Sequence, residues 1–362
     1  MSIRLRPVVW AALVLSQLSG SAFGQHYNIT TLVTNSTDPS LVNPWGMSRG
    51  SGSPWWVADN ATGVSTLYTG DGTKLGLTVT VPSAKPGQPS LPTGTIYNGS
   101  KTDFLLAANT PAVFLFCTID GLIVGWNPAV GAVPAVTMTD GSAYTGMTSA
   151  MAGGKLRIYA ANFSKGRVDV FNSSFHRVMS EEAFDDDDLP PNYVPFNVQA
   201  IGDNVVVTYA LHEPGSPFET DGPGLGYVDI FSAFGHKLMR LQHGDWLNAP
   251  WGIALAPLDF GLYSHSLLVG QFAGGGTTES SGYIAAYDLT TGRFKGLLED
   301  TSGNPLAING VWGISFGNTS PNNYDSAGAP SAEMYFAAGP NHATGGAFGY
   351  VTAADLIEGN DQ

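Results

Sequence analysis

Ten side chains in this sequence have the chemistry to meet a ligand: Trp45, Asp59, Asn60, Asn162, Asn197, Tyr209, Trp251, Gln271, Trp312 and His342. Indole and phenol rings offer flat apolar platforms, and amides offer a donor and an acceptor side by side. Together they suit the face and hydroxyl edges of a sugar, or the backbone of a peptide. Asp59, Asn162 and His342 could instead run hydrolase or lyase chemistry around a bound cation, since a carboxylate and an imidazole move protons. Residues so far apart in the chain can share a site only if a repeating architecture gathers them.

Other chemistry is sparsely represented. The seven histidines, at positions 26, 176, 212, 236, 243, 265 and 342, include no pair at ligand spacing, so no metal site is assigned. The run Asp185–Asp188, preceded by Glu181 and Glu182, has the hard oxygens that suit calcium. It lacks the spaced Asp/Asn-Gly pattern of a calcium loop and reads as a solvated acidic connection. The cofactor is therefore left open, with calcium as the one ion these oxygens suggest. No nucleophile elbow, phosphate-binding loop or dinucleotide fingerprint occurs in a supporting context, and the glycines at 274–276 read as linker. No catalytic residue is assigned.

The gathering architecture is visible as self-similarity. Pro44-Trp45-Gly46, Pro92-Thr93-Gly94, Tyr144-Thr145-Gly146, Pro195-Phe196-Asn197, Pro250-Trp251-Gly252 and Val311-Trp312-Gly313 each precede a short apolar run. Each is followed by a second run ending in small or amide residues and a third beginning at Gly, as in "WWVADN…GVSTLY" and "YAANF…GRVDVF". Six such units of roughly 50 residues, β-branched, aromatic and punctuated by 46 Gly and 23 Pro, predict an all-β, six-bladed propeller of four-stranded blades. The strand "YNITTLV" at 27–33 completes the last blade. In this frame the Gly allows close backbone approach, and the Trp packs between adjacent blades. The same frame sets Trp45, Thr93, Thr145, Asn197, Trp251 and Trp312 around one channel mouth with Asp59, Asn60, Asn109, Asn162, Tyr209 and Gln271.

The bulk properties narrow the setting. The 362 residues are 43% hydrophobic and carry a formal charge of −14, which repels phosphate backbones and excludes nucleic acid as a partner. Arg4 and Arg6, an apolar run from Val8 to Leu15 and small residues around Ala22-Phe23-Gly24 read as a signal peptide over 1–24. Residues 25–362 then form one secreted domain, a monomer without membrane insertion. Sequons at Asn28, Asn35, Asn60, Asn98, Asn162, Asn172 and Asn318 fit that route as a glycoprotein. Cys117 is the one cysteine, so packing has to supply the stability, and it reads as a buried small hydrophobe.

The motifs "NPWG…WVADN…GVSTLY", "YAANF", "YVPFNV", "GYVDIF" and "NAPWGIALAP" resemble a family of secreted six-bladed propellers related to NHL repeats, from about Leu41 to Tyr350. The resemblance implies the fold and export. More distant six-bladed lactonases hold calcium with inward Glu, Asp and Asn side chains; here Trp45, Thr93, Thr145, Trp251 and Trp312 stand at the corresponding places, and Asn197 stands at a glycine position. That departure counts against a lactonase-type site. The expectation is a module binding an extracellular small molecule, glycan, peptide or protein at its channel face. The alternative is a channel hydrolase or lyase.

Overall fold

A computed structural model describes residues 26–178, 183–273, 281–317 and 332–354. The signal segment 1–24, Glu181, Glu182, the glycines at 274–276 and Asn318 lie outside the described residues.

Six blades surround one axis among the described residues, each running outward from an innermost strand. Blade one is Pro44–Ser48, Trp55–Asp59, Val64–Tyr68 and Val79–Thr80. Blade two is Pro92–Tyr97, Phe114–Thr118, Leu122–Asn127 and Gly131–Thr137. Blade three is Tyr144–Ala152, Lys155–Asn162 and Arg167–Asn172, with its fourth strand shortened to the pairing of Phe171 with Arg177. Blade four is Tyr193–Ile201, Asn204–Leu211, Tyr227–Ser232 and Lys237–Arg240. Blade five is Pro250–Leu255, Ser266–Gln271, Ile284–Asp288 and Phe294–Leu297. Blade six is Val311–Phe316, Met334–Ala338 and Ala347–Ala353, completed by the N-terminal strand Tyr27–Thr34. That closing strand runs antiparallel to the chain's last described strand, from Tyr27 opposite Ala353 to Thr34 opposite Ala347. No described helix is long and apolar enough to cross a membrane.

Six of the apolar cores lie between neighbouring blades. Tyr335, Phe348, Trp55 and Tyr68 fill the seam of blades six and one, and Val206, Ile230, Leu267 and Tyr287 that of four and five. The Trp of the Trp-Gly motif belongs to none of these seams, contrary to the expectation from sequence.

The glycine column has a clear cause. A methyl group on Gly46 would stand 2.5 Å from the Thr93 carbonyl oxygen of blade two, and one on Gly94 would stand 2.6 Å from the Met147 amide of blade three. Gly252 meets the Trp312 carbonyl oxygen of blade six at 2.5 Å, and Gly313 meets the Trp45 carbonyl oxygen of blade one at 2.7 Å. Each innermost strand therefore abuts the next, and only a residue without Cβ permits it. Asn197, at the glycine place of blade four, reaches blade five differently: its Nδ2 donates to the Trp251 carbonyl oxygen at 2.8 Å.

Every innermost strand also slips register beside that glycine, between Pro44 and Met47, Pro92 and Thr95, Tyr144 and Gly146, Pro195 and Asn197, Pro250 and Gly252, and Val311 and Ile314. Such a bulge re-aims the side chain it carries. In the three Trp-Gly blades it follows a residue with positive φ: Asn43 at 47°, Ala249 at 45° and Gly310 at 65°. The indoles are thereby turned toward the axis.

Candidate functional site

At the end where the innermost strands begin, the channel is sealed by an aromatic plug. Trp45, Phe196, Trp251 and Trp312 are buried in one cluster with Phe163, backed by Phe272. Trp45 stacks on Trp312 at 3.7 Å between ring centroids, Phe272 also stacks on Trp312 at 3.9 Å, and Trp251 meets Trp45 edge-on at 6.1 Å. The Trp312 indole N–H donates to Asn43 Oδ1 at 2.9 Å and that of Trp251 to the Thr145 carbonyl oxygen at 3.0 Å. The three tryptophans do converge, as the repeat implied. They form a stopper whose faces are already stacked on one another, not a rim that a ligand could touch. Phe196, one residue before Asn197, is the blade-four member.

The polar candidates do not converge. Asn162 accepts from the Ala143 amide and donates to Asp169 Oδ2 at 2.7 Å; Gln271 accepts from the Asn248 amide through Oε1 at 2.9 Å. Asn60 donates to the Pro92 carbonyl oxygen at 3.1 Å, stitching blade one to blade two. Asn162 and Gln271 sit at the ends of second strands and hold the backbone of the connection arriving from the previous blade, whereas Asn60 reaches forward to the next one. Tyr209 is buried in the seam of blades three and four, its hydroxyl without a partner and its pKa pushed well up by desolvation. Asn109 lies at the turn joining the short strands Leu105–Ala107 and Thr110–Pro111, and Thr118 holds the place expected for it.

Asp59 is fully buried, and burial holds its carboxyl well above the usual carboxylate range. Its Oδ2 accepts from the Thr66 amide at 3.0 Å and the Thr66 hydroxyl at 2.8 Å, and its Oδ1 has no partner. His342 is exposed on the turn Pro340–Ala343, where it and Asn341 take left-handed backbone angles. Asp59 and Asn162 thus belong to separate hydrogen-bond networks and His342 to an exposed turn, and among the described residues no shared bonding joins the three of the hydrolase reading. Among the described residues no group of three or more His, Cys, Asp and Glu is placed to hold a metal.

The acidic run is also anchored and not merely solvated. The Asp186 side chain is buried and ion-paired with Lys237 at 2.5 Å and with Arg240, whose Nε also donates to Asp229 at 2.9 Å, whereas Asp185, Asp187 and Asp188 stand in solvent. These contacts tie the connection to the outermost strand of blade four. Cys117 is buried against Thr93, and burial pushes its thiol up to about 11, as befits an inert core residue.

The opposite end of the channel is open. A cavity of about 470 Å³ lies where the innermost strands end, within the range of small-molecule sites. Blades one to four contribute Ser48, Arg49, Thr95, Tyr97, Thr148, Ser149 and Gln199. Blades five and six contribute Ile253, Ala254, Leu255, Ile314, Ser315 and Phe316. Neighbouring strands are joined across it by Ser48 to Thr95 at 3.2 Å and by the Ala200 amide donating to Thr148 Oγ1 at 3.0 Å. Arg49 lies over the Trp55 ring at 5.1 Å and donates to the Ser53 carbonyl oxygen at 2.6 Å. Toward the plug the channel narrows to a space of about 30 Å³ beside Asn197, Gln199 and Trp251, room for about one water. None of the cavity residues was picked out from sequence. Their signal was present, because they fall within the four residues that follow the glycine position, or Asn197 in blade four, of each repeat.

Fold and channel together define a six-bladed β-propeller sealed at one end. The chain belongs to the same family as the uncharacterized protein R648 of Acanthamoeba polyphaga mimivirus, to which it is 31% identical over 314 residues, covering 81% of this chain and 76% of that protein. The uncharacterized protein L690 of the same virus is 29% identical over 329 residues, covering 88% and 82%. No protein-family model matches the chain. Among solved structures it is similar to the soluble aldose sugar dehydrogenase of Escherichia coli, with a TM-score of 0.54 at 10% identity over 91% of this chain and 100% of that one. It is also similar to virginiamycin B lyase from Staphylococcus aureus, with a TM-score of 0.50 at 12% identity over 90% and 99%. At such identities the likeness is one of fold.

Proposed function

We propose that the protein is a secreted, NHL-like propeller that binds an extracellular small molecule or glycan in the open end of its channel. One observation carries this reading: the mouth framed by the Trp-Gly motifs is filled by stacked indoles, whereas the other mouth holds a cavity of about 470 Å³ lined by hydroxyls, an amide and apolar side chains. Convergent polar groups in a concave apolar setting are what small-molecule recognition uses. Export is consistent with where sequons fall on the surface. Asn28 and Asn35 are exposed and Asn172 is half-exposed, so these three can carry glycans, while Asn60, Asn98 and Asn162 are buried.

The test separates the two mouths. Ser149→Trp fills the open cavity from a half-exposed position, and His342→Ala alters the plugged face. Ligands that raise the melting temperature of the mature protein in a glycan and small-molecule screen should lose that effect in Ser149→Trp and keep it in His342→Ala. The opposite pattern would move the site to the plugged face and overturn this reading. N-terminal sequencing of secreted material tests export, with Gln25 as the expected first residue.

A further inference from the structure

The open cavity is richer in hydroxyls on the side of blades two and three and richer in apolar side chains on the side of blades five and six. Consecutive blades are neighbours around the ring, so blade five stands opposite blade two and blade six opposite blade three. Ile253 and Leu255 of blade five and Ile314 and Phe316 of blade six, with Ser315 the one hydroxyl among them, therefore face Thr95 and Tyr97 of blade two, with Ile96 between them, and Thr148 and Ser149 of blade three. A free sugar has hydroxyls on all its edges, and half of this wall would leave them without partners, at a cost for each buried group.

The apolar side also continues beyond the cavity. Leu255 is 41% exposed, and the connection that leaves it carries Leu258 at 75% and Leu262 at 54% exposed. Between them Phe260 is buried and meets Phe316 edge-on at 4.9 Å, which fixes this connection against the cavity wall. Exposed leucines gathered beside a pocket extend it; scattered ones would call for no explanation.

We propose that the cavity takes a single-chain amphiphile, its alkyl or acyl chain lying on blades five and six toward Leu258 and its hydroxylated head held by blades two and three. This rests on the reading that the open mouth is the binding site. The experiment titrates the mature protein with octyl glucoside below its micelle concentration, and separately with maltotriose, following the methyl signal of Met47, which lines the cavity. Octyl glucoside is expected to shift Met47 and maltotriose to leave it unmoved. Leu255→Ser, which removes chain contact at a partly exposed position, should weaken octyl glucoside roughly tenfold, and Tyr97→Phe should weaken it to a lesser degree. If maltotriose shifts Met47 as strongly as octyl glucoside and Leu255→Ser changes neither titration, the site stands and the amphiphile is wrong. If neither compound shifts Met47, both the amphiphile and the open-mouth site fall.

Discussion

Asp59 is a carboxyl group placed where water cannot reach it, and its titration is coupled to the stability of blade one. Burial holds its carboxyl well above the usual carboxylate range; the Thr66 bonds oppose this, and the nearby Asp38 charge adds to it. The folded state thus holds the proton more tightly than the unfolded chain. Stability from this group is complete below 3.8 and is lost as pH rises through the folded-state value. Asp59→Asn keeps the shape of the protonated form and removes the charge. Its melting temperature relative to the natural protein should rise as the pH is raised above the ordinary carboxylate value of 3.8. A pH-independent difference would show that Asp59 is not protonated in the fold. The plug gives a second comparison. Trp312 donates to Asn43, whereas the Trp45 indole nitrogen has no partner. Trp312→Phe should therefore cost about 1 kcal/mol more than Trp45→Phe in urea unfolding, because it strands a buried acceptor. Equal costs would refute that assignment. The sequence made the three tryptophans conspicuous but not their role, because stacking against one another looks no different in a sequence from stacking on a ligand.

The innermost strand is the element that the repeat encodes most plainly. Its place could be read from Pro, Tyr or Val, then a variable residue, then Gly or, in blade four, Asn, followed by a short apolar run, and the six strands appear where that pattern sets them. Which way its second residue points could not be read, since a bulge leaves no compositional mark and inverts the expected facing. The same limitation misplaced Asn109, because an additional short hairpin in blade two imitates a second strand. The glycines give a direct test of the close-packed ring. Gly252→Ala drives a methyl group to 2.5 Å from a backbone oxygen that cannot turn aside, and should cost about 1–3 kcal/mol through overpacking. Gly76→Ala, with nothing within 4 Å, should change stability by less than about 0.5 kcal/mol. Similar losses in both would remove the packing explanation for the motif.

At the scale of the whole molecule, a ring of blades is as stable as its closure. The chain supplies that closure with the strand Tyr27–Thr34, which was legible because a six-copy repeat ending at a third strand leaves the last blade one strand short. The structure adds how far the strand reaches. Tyr27 is buried and its hydroxyl donates to the Phe260 carbonyl oxygen at 3.0 Å, so the strand fastens blade six to blade five as well as completing its own sheet. Just beyond it, Asp38 accepts from Tyr68 at 2.5 Å and from Lys74 at 2.7 Å, which secures the same stretch of chain to blade one. Three consecutive blades therefore depend on fewer than twenty residues. Removing residues 26–34 should lower unfolding stability by several kcal/mol, on the order of two large core truncations. It should also lower the urea dependence of unfolding, since an open ring exposes blade-six surface before the remainder melts. An unchanged midpoint and slope would mean that blade six closes without its N-terminal strand and that the seams between blades, not the clasp, hold the ring shut.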